Sequence, residues 1–159
     1  MKWIFVAFLL ASIAHMGEEY FYPGGFMDLM KQLNPRFAPL VTVRMAVLIN
    51  GLQLLLCVAA IVVGRKALAF STSPAALLFV NSLVHMGACA RIRGYAPGVV
   101  GGTVLYLPLS IHAYYVFAGS GQLSVSGTIV SWVLGLLYQA VPAGYLAVAT
   151  TVERHAKRA

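Results

Sequence analysis

A histidine and two glutamates stand within five residues of one another near the start of the chain, in the segment His15-Met-Gly-Glu18-Glu19. On a helix, positions 15, 18 and 19 are related as i, i+3 and i+4, which puts the imidazole and both carboxylates on one face within a single turn. These side chains bind divalent metals and also serve as general acids and bases. The spacing therefore predicts that His15, Glu18 and Glu19 are catalytic residues and metal ligands.

A second polar pair, Asn81 and His85, has the i and i+4 spacing of one helix face. Counted at ~1.5 Å per residue from the predicted helix ends on one side, His15 lies about 10 Å deep and His85 about 8 Å deep. The two clusters can therefore meet, and we expect His85 to be a further catalytic residue and metal ligand. Asn81 is a candidate to bind substrate or to orient His85, with a plain hydrogen bond between helices as the alternative.

A loop predicted at the same end of the helices, Arg91-Ile-Arg93-Gly-Tyr95-Ala-Pro97-Gly98, can cover or line this site. Arg91 and Tyr95 are therefore expected to bind substrate. His112, about 20 Å from that end, and Tyr106 are further candidates to line the substrate cavity, although aromatic residues in membrane spans more often serve in packing or in the interfacial belt.

Three motifs in this order resemble the HXXEE-domain family of integral membrane proteins. The motif that names the family is matched by His15-Met-Gly-Glu18-Glu19, its Asn-x-x-x-His pattern by Asn81 and His85, and its Tyr-x-Pro-Gly-x-x-Thr pattern by Tyr95, Pro97 and Gly98. The chain departs from the last pattern, because Gly101 fills the threonine position and the nearest threonine is Thr103. The resemblance implies an integral membrane protein that is a candidate enzyme, without implying a particular reaction.

Imidazole and carboxylate ligands suit zinc, iron or manganese and leave positions open for water and substrate. The first hypothesis is accordingly a membrane-embedded enzyme in which a divalent metal activates water or oxygen on a lipophilic substrate, as in a hydrolase or an oxidase. In a metal-free variant, a glutamate kept protonated by burial acts as the general acid of an isomerase or cyclase. A purely structural reading pairs the two glutamates with nearby arginines.

The amino-acid composition predicts that the elements that carry these residues are transmembrane helices. Hydrophobic residues make up 60% of the 159 residues and charged residues 9%, and the mean hydropathy is +0.84, which excludes an ordinary water-soluble domain. The long uncharged stretches are each near or above the ~20 residues that a membrane crossing needs. The fold class predicted is an all-α transmembrane bundle, a single domain over 1–159 with spans at about 3–22, 40–63, 74–90, 99–117 and 127–150. The Pro- and Gly-rich linker 23–39 is expected to be a loop with one short helix near 27–33.

Five spans place the two termini on opposite sides of the membrane. Three basic residues fall on the side of the N-terminus and eight on the other, which predicts an external N-terminus and a cytoplasmic C-terminus. The three are Lys2, Arg65 and Lys66, and the eight are Lys31, Arg36, Arg44, Arg91, Arg93, Arg154, Lys157 and Arg158. The expected location is a bacterial-type cytoplasmic (inner) membrane. The stretch Ala11-Ser-Ile-Ala14 has the form of a signal-peptide cleavage site, but four later spans favour an uncleaved first helix.

The net charge of +7 does not indicate nucleic-acid binding, because the basic residues stand at span ends and form no strip interleaved with aromatic residues. Expected partners are membrane lipids and a lipophilic small molecule, and a homo-oligomer is compatible with the sequence. Two other classes stay open, a proton-coupled transporter and a small subunit that stabilises a larger membrane complex. The absence of an inverted repeat disfavours the transporter.

Overall fold

A computed structural model describes residues 2–22 and 25–156 of the chain, and in this part it is helical with no strand. The α-helices are α1 Trp3–Phe21, α2 Gly25–Leu33, α3 Val43–Val63, α4 Leu68–Ser71, α5 Ser73–Ile92, α6 Val99–Gly101, α7 Leu107–Phe117, α8 Val125–Gln139 and α9 Val141–Ala156. Short 3-10 turns cover Pro35–Leu40 and Gly64–Ala67, and a π turn covers Gly102–Tyr106. The all-α fold class predicted from composition is confirmed.

Five helical stretches are long and apolar enough to cross a membrane: Trp3–Phe21, Val43–Ser71, Ser73–Ile92, Val99–Phe117 and Val125–Thr151. They coincide with the five predicted spans to within a few residues, except that the second continues through α4 to Ser71 and that the fifth bends at Ala140 between α8 and α9. The predicted number of helices that are long and apolar enough to cross a membrane is therefore confirmed. The direction in which the chain crosses a membrane stays a prediction, and two of the residues on which it depends, Lys157 and Arg158, lie outside the described residues.

The linker after the first span is more ordered than a loop. The helix expected near 27–33 is α2, which begins at Gly25, and the 3-10 turn Pro35–Leu40 follows it. Pro23 and Gly24 lie outside the described residues. α2 has an amphipathic pattern and buries Leu29 against the end of α5 and the segment that follows it, so the linker packs beneath the helices rather than extending away from them.

Two of the spans begin with a side-chain cap. The side chain of Thr42 accepts a hydrogen bond from the Met45 amide at the start of α3, and Ser124 accepts one from the Gly127 amide at the start of α8, which satisfies donors that the first helical turn leaves free. Arg65, in the connection after α3, donates a hydrogen bond from Nη2 to Oε1 of Gln122 at 2.8 Å. Gln122 lies in the connection between α7 and α8, just before Ser124. The connections after the second and fourth spans therefore lie on one side, as five alternating crossings require.

The interior divides into an apolar end and a polar end. Phe5, Phe8 and Phe117 form the centre of the apolar end, where the rings of Phe5 and Phe117 stack with centroids 5.6 Å apart. One helix turn further along α1, Ser12 begins a polar region that continues to Glu19. The buried face of α1 includes both Phe8 and Glu19. The same helix therefore contributes an aromatic ring to the apolar core and a carboxylate to the polar end of the interior.

Two local features depart from the packing and winding of regular helices. Gly135 of α8 lies against α5, where a Cβ at Gly135 would stand 2.7 Å from the Ala76 Cβ and 2.8 Å from the Ser73 carbonyl oxygen. In the fourth span, the Leu107 amide donates to the carbonyl of Gly102, five residues earlier, which is the hydrogen bond of a π turn. Such turns are rare and occur often at functional sites.

Candidate His/Glu site

Glu19 lies between two imidazoles that come from different helices. Its Oε1 atom is 3.4 Å from Nε2 of His15, one turn earlier on α1, and 3.1 Å from Nε2 of His85 on α5. All three residues are at least 95% buried, with exposed fractions of 2%, 5% and 2% for His15, Glu19 and His85. The structure thus brings the two sequence clusters together at the level that the helix rise predicts, and it does so around a carboxylate.

The two imidazoles face each other edge to face, with ring centroids 4.8 Å apart and planes at 82°. Both nitrogens of His15 and Nδ1 of His85 are buried, and none of them has a hydrogen-bond partner of good geometry. Buried polar atoms without a partner are uncommon in folded proteins and call for an explanation. The site therefore holds more donor and acceptor capacity than its own side chains use.

Glu18 points away from this group, toward the segment after α5. Its carboxylate accepts the Val100 amide at 3.0 Å, the Gly101 amide at 2.6 Å and the hydroxyl of Tyr95. Adjacent residues on a helix are about 100° apart around its axis, so Glu18 and Glu19 cannot both face His85. The expectation that all three residues of the first cluster converge is therefore corrected: His15 and Glu19 converge, and Glu18 binds the loop.

The loop that Glu18 holds lies directly on the imidazoles. Gly98 has φ of +93°, and a Cβ there would stand 2.7 Å from His85 Nδ1 and 2.8 Å from His15 Cε1. A Cβ at Gly101 would stand 3.0 Å from both His15 Nδ1 and Glu18 Oε2. Only glycine leaves enough room for the backbone to approach this closely. We refer to residues 95–101 as the roof of the site.

Tyr106 closes the site from the side of the apolar core. Its ring packs on that of His15 with centroids 4.3 Å apart, and its hydroxyl accepts a hydrogen bond from Gln53 Nε2 at 2.9 Å. Gln53 also donates to Ser12 Oγ at 3.0 Å. The π turn ends at Tyr106, so the unusual backbone and the aromatic contact with His15 occur at one place. Gln53 serves as the interhelical link that its position within a span favours.

A cavity of about 260 Å³ opens beside the three central residues. Asn81 lines it together with His85, and the Oδ1 atom of Asn81 is buried without a hydrogen-bond partner. The remaining lining is mainly apolar and comes from α2, α3, α5, α8 and α9: Phe26, Met30, Met45, Ile49, Asn50, Gln53, Val84, Tyr138, Gln139, Pro142 and Leu146. The described lining contains no lysine or arginine.

The other predicted substrate residues take different positions. Tyr95 holds Glu18 and Tyr106 packs on His15, as described above. Arg91 donates to the Leu33 carbonyl oxygen at 3.2 Å and so joins α5 to the end of α2. His112 lies beside Trp3, with ring centroids 5.5 Å apart, on a separate and open groove between α1 and α7. Neither Arg91 nor His112 lines the cavity next to Glu19.

Several cavity residues had no signal of their own in the sequence. Phe26 and Met30 belong to the linker helix, and Met45 and Ile49 look like ordinary membrane-facing apolar residues of a span. Asn50 is a polar residue within an apolar stretch, which is the one pattern that could have selected it. The placement of these residues depends on which helices become neighbours.

A family model described as "Protein of unknown function with HXXEE motif" matches residues 6–113 of the chain. The matched region contains the three central residues, the roof, the π turn and Glu18. No curated protein and no solved structure matches the chain.

Proposed function

The chain belongs to the HXXEE family, and we propose that it is a membrane-embedded enzyme that transforms a lipophilic substrate at the site formed by His15, Glu19 and His85. The observation that carries this proposal is the approach of two buried imidazoles to one buried carboxylate oxygen, at 3.1 and 3.4 Å. Burying ionisable groups among apolar helices costs free energy, and such groups by default mark function.

The cavity indicates the character of the substrate. Pockets for small molecules are mainly apolar with a few well-placed polar groups, and most have volumes from about 300 to 1,000 Å³. A cavity of about 260 Å³ is slightly below this range and suits a compact lipophilic molecule or the reacting end of a longer lipid. Without lysine or arginine in the described lining, an uncharged substrate is favoured over a phosphate or a carboxylate. Asn81 Oδ1 is available to accept a hydrogen bond from it.

Two reaction classes use a carboxylate between imidazoles. One is hydrolysis or oxidation assisted by a divalent metal. The other is metal-free isomerisation or cyclisation, in which Glu19 and an imidazole exchange protons with the substrate. The distance of 3.1 Å between Glu19 Oε1 and His85 Nε2 is compatible with both classes. Either class fits an enzyme of a multi-pass protein, for which we propose the cytoplasmic membrane of a bacterial-type cell.

Conversion of a lipid extract tests the proposal. The purified protein in lipid nanodiscs is incubated with a neutral-lipid extract of bacterial membranes, with and without dissolved oxygen, and the extract is compared by liquid chromatography and mass spectrometry. We expect one uncharged species to be converted by the wild type and Glu19→Gln to convert it more slowly by about 100-fold or more, as is usual when a general acid or base is lost.

Asp28→Asn is the matched control, because it also turns a carboxylate into an amide. Asp28 lies on α2, forms an exposed pair with Lys31 at 3.2 Å and does not line the cavity. We expect Asp28→Asn to convert the species as fast as the wild type. Equal conversion by wild type and Glu19→Gln, or no conversion of any species, would contradict the proposed function.

A further inference from the structure

We propose that His15 Nε2, Glu19 Oε1 and His85 Nε2 are the three protein ligands of a divalent metal ion, and that Glu18 is a positioning residue that holds the roof over them. The inference rests on the proposed function only in that both use the same three residues. It selects the metal-assisted class, reduces the four ligands expected from sequence to three, and gives the two adjacent glutamates different roles.

Two distances among the three atoms match those of a coordination shell. Ligands at about 2.1 Å from one ion, separated by angles of 90° to 109°, stand roughly 3.0 to 3.4 Å from one another. The two distances to Glu19 Oε1 are 3.1 and 3.4 Å. One donor atom from each of the three residues lies within 4.8 Å of the other two, so one ion could contact all three after the imidazoles move toward each other.

The chemistry of the group also points to a cation. Among the described residues, Glu19 has no lysine or arginine partner within 4.0 Å, and its ion-pair partners are the two histidines. A buried carboxylate needs compensating positive charge, and a bound cation would supply it. Both His15 and His85 are 98% buried. The nitrogens without a hydrogen-bond partner are Nδ1 and Nε2 of His15 and Nδ1 of His85, and metal coordination through Nε2 would occupy that atom of His15.

Two imidazoles and one carboxylate suit zinc, iron(II) or manganese. Three protein ligands leave further coordination positions open, as catalytic sites require. These positions would face the cavity, because the same three residues lie at its wall. An ion bound there would polarise a substrate oxygen or water.

The role of Glu18 follows from its own contacts. Its carboxylate joins α1 to the roof through the Val100 and Gly101 amides and the Tyr95 hydroxyl. The roof in turn fills the space behind both imidazoles, since Gly98 approaches His15 and His85 too closely to admit a Cβ. Glu18 therefore acts on the metal ligands through the backbone of residues 98–101, and it limits how far either ring can rotate.

Metal binding tests the ligand set without knowledge of the substrate. The protein, stripped of metal in nanodiscs, is titrated with Co²⁺ alone and with Zn²⁺ alone, and binding is followed by the visible absorption of Co²⁺ and by elemental analysis. We expect about one ion per chain for the wild type. Glu19→Gln and His85→Gln should each weaken binding by more than ~100-fold, which exceeds the 10- to 100-fold effect usual for residues outside the ligand shell.

Glu18→Gln tests whether Glu18 holds the roof in place or binds the metal ion itself. It keeps a side chain able to reach the roof but replaces one acceptor oxygen by a donor. We expect this variant to bind Co²⁺ within ~10-fold of the wild-type affinity and to shift the Co²⁺ absorption bands, because the imidazoles are less firmly held. His112→Ala is the control for loss of a histidine outside the group, and its affinity and spectrum should equal those of the wild type.

Specific outcomes would overturn the inference. Failure of the wild type to bind either ion, or equal binding by wild type, Glu19→Gln and His85→Gln, would contradict the ligand set. Loss of the ion in Glu18→Gln as complete as in Glu19→Gln would make Glu18 a ligand, and an unchanged Co²⁺ spectrum would remove its positioning role. Where a variant fails to assemble, the wild-type titration still decides whether a site exists. A protein that binds no metal but still converts lipid in a Glu19-dependent way would overturn this inference and leave the proposed enzyme function intact.

Discussion

The hydroxyl of Tyr95 donates a hydrogen bond to Oε1 of Glu18, which ties the segment after α5 to the end of α1. Tyr95 lies between membrane-spanning stretches and is 38% exposed, whereas the residues that its bond helps to hold in place are deeply buried. A side chain at the edge of the protein thus fixes the backbone that covers the two imidazoles.

Tyr95→Phe removes this hydrogen bond and keeps the aromatic ring. Hydrogen bonds to charged groups contribute about 1.5 to 3 kcal/mol, and the partial exposure of Tyr95 reduces this to about 1 kcal/mol. We expect a lower melting temperature in detergent micelles, measured by intrinsic fluorescence, with Tyr115→Phe as the control on a lipid-facing tyrosine. An unchanged melting temperature would mean that the two amides hold Glu18 without help from Tyr95.

The contribution of Tyr95 should depend on pH in the alkaline range. Partial burial and the hydrogen bond to the Glu18 carboxylate raise the pKa of the Tyr95 hydroxyl, which favours its neutral form in the folded protein. The unfolded chain loses this proton near pH 10, so stability from Tyr95 is complete below that pH and declines as pH rises above it. The difference in melting temperature between wild type and Tyr95→Phe should therefore be constant from pH 7 to 9 and should shrink above pH 10. A difference that grows with pH would contradict this assignment.

Gly98→Ala should disturb the site itself. The positive φ at Gly98 costs an alanine about 1 to 2 kcal/mol, and the added Cβ would collide with both imidazoles. Gly64→Ala is a matched control, since Gly64 has φ of +55° but nothing within 4 Å of the added Cβ. We expect both variants to lose stability and only Gly98→Ala to lose affinity for Co²⁺. If the two variants behave alike, the roof does not press on the imidazoles.

Asn81→Leu distinguishes a substrate contact from an interhelical link. Since Asn81 Oδ1 is buried without a partner, replacing the amide by an apolar side chain removes a desolvated group and should leave the melting temperature unchanged or higher. Conversion of the lipid substrate should fall by roughly 10-fold through a higher KM, which corresponds to one lost hydrogen bond of about 1.4 kcal/mol. Clear destabilisation with unchanged KM would assign Asn81 to helix packing instead.

Gly135→Ala tests the contact between α5 and α8. The added Cβ would stand within 2.8 Å of backbone atoms of α5, so the helices must separate, at a cost of about 1 to 3 kcal/mol. Gly51→Ala, in the middle of α3 with nothing within 4 Å of the new Cβ, should instead be neutral or stabilise the helix by up to about 1 kcal/mol. Thermal unfolding of both variants in the same micelles makes the comparison. Equal melting temperatures would show that α5 and α8 can separate without cost.

The elements were predictable because hydropathy acts over whole spans. The fourth span predicted at 99–117 is the helical stretch Val99–Phe117, and the break near 118–127 is where the chain turns between α7 and α8. The meeting of His15 with His85 was also predictable, because helix rise converts sequence position into depth. Hydropathy along the chain and depth along a helix axis both depend only on the position of a residue in the sequence, so they can be predicted from the sequence alone.

What the sequence did not supply was rotation about each helix axis and the choice of neighbours. The i, i+3, i+4 argument groups Glu18 with Glu19, yet their directions differ by about 100°, which is enough to send one to the roof and the other to the imidazoles. The cavity lining from α2 and α3, such as Met30 and Met45, depends on which helices pack together. The π turn has no local sequence signature, since it depends on contacts such as the hydrogen bond from Ser82 Oγ to the Gly102 carbonyl oxygen at 2.9 Å.

The π turn gives the fourth span a register that an uninterrupted helix would not have. It accommodates one residue more than ordinary helical winding does, so the same residues wound as a regular α-helix would turn everything beyond Tyr106 by about 100°. Gly98 would stay against His15 and His85, but Tyr106 would swing off the His15 ring. The winding of this short stretch therefore sets how the glycine-rich start of the span and its aromatic continuation are oriented around the helix axis.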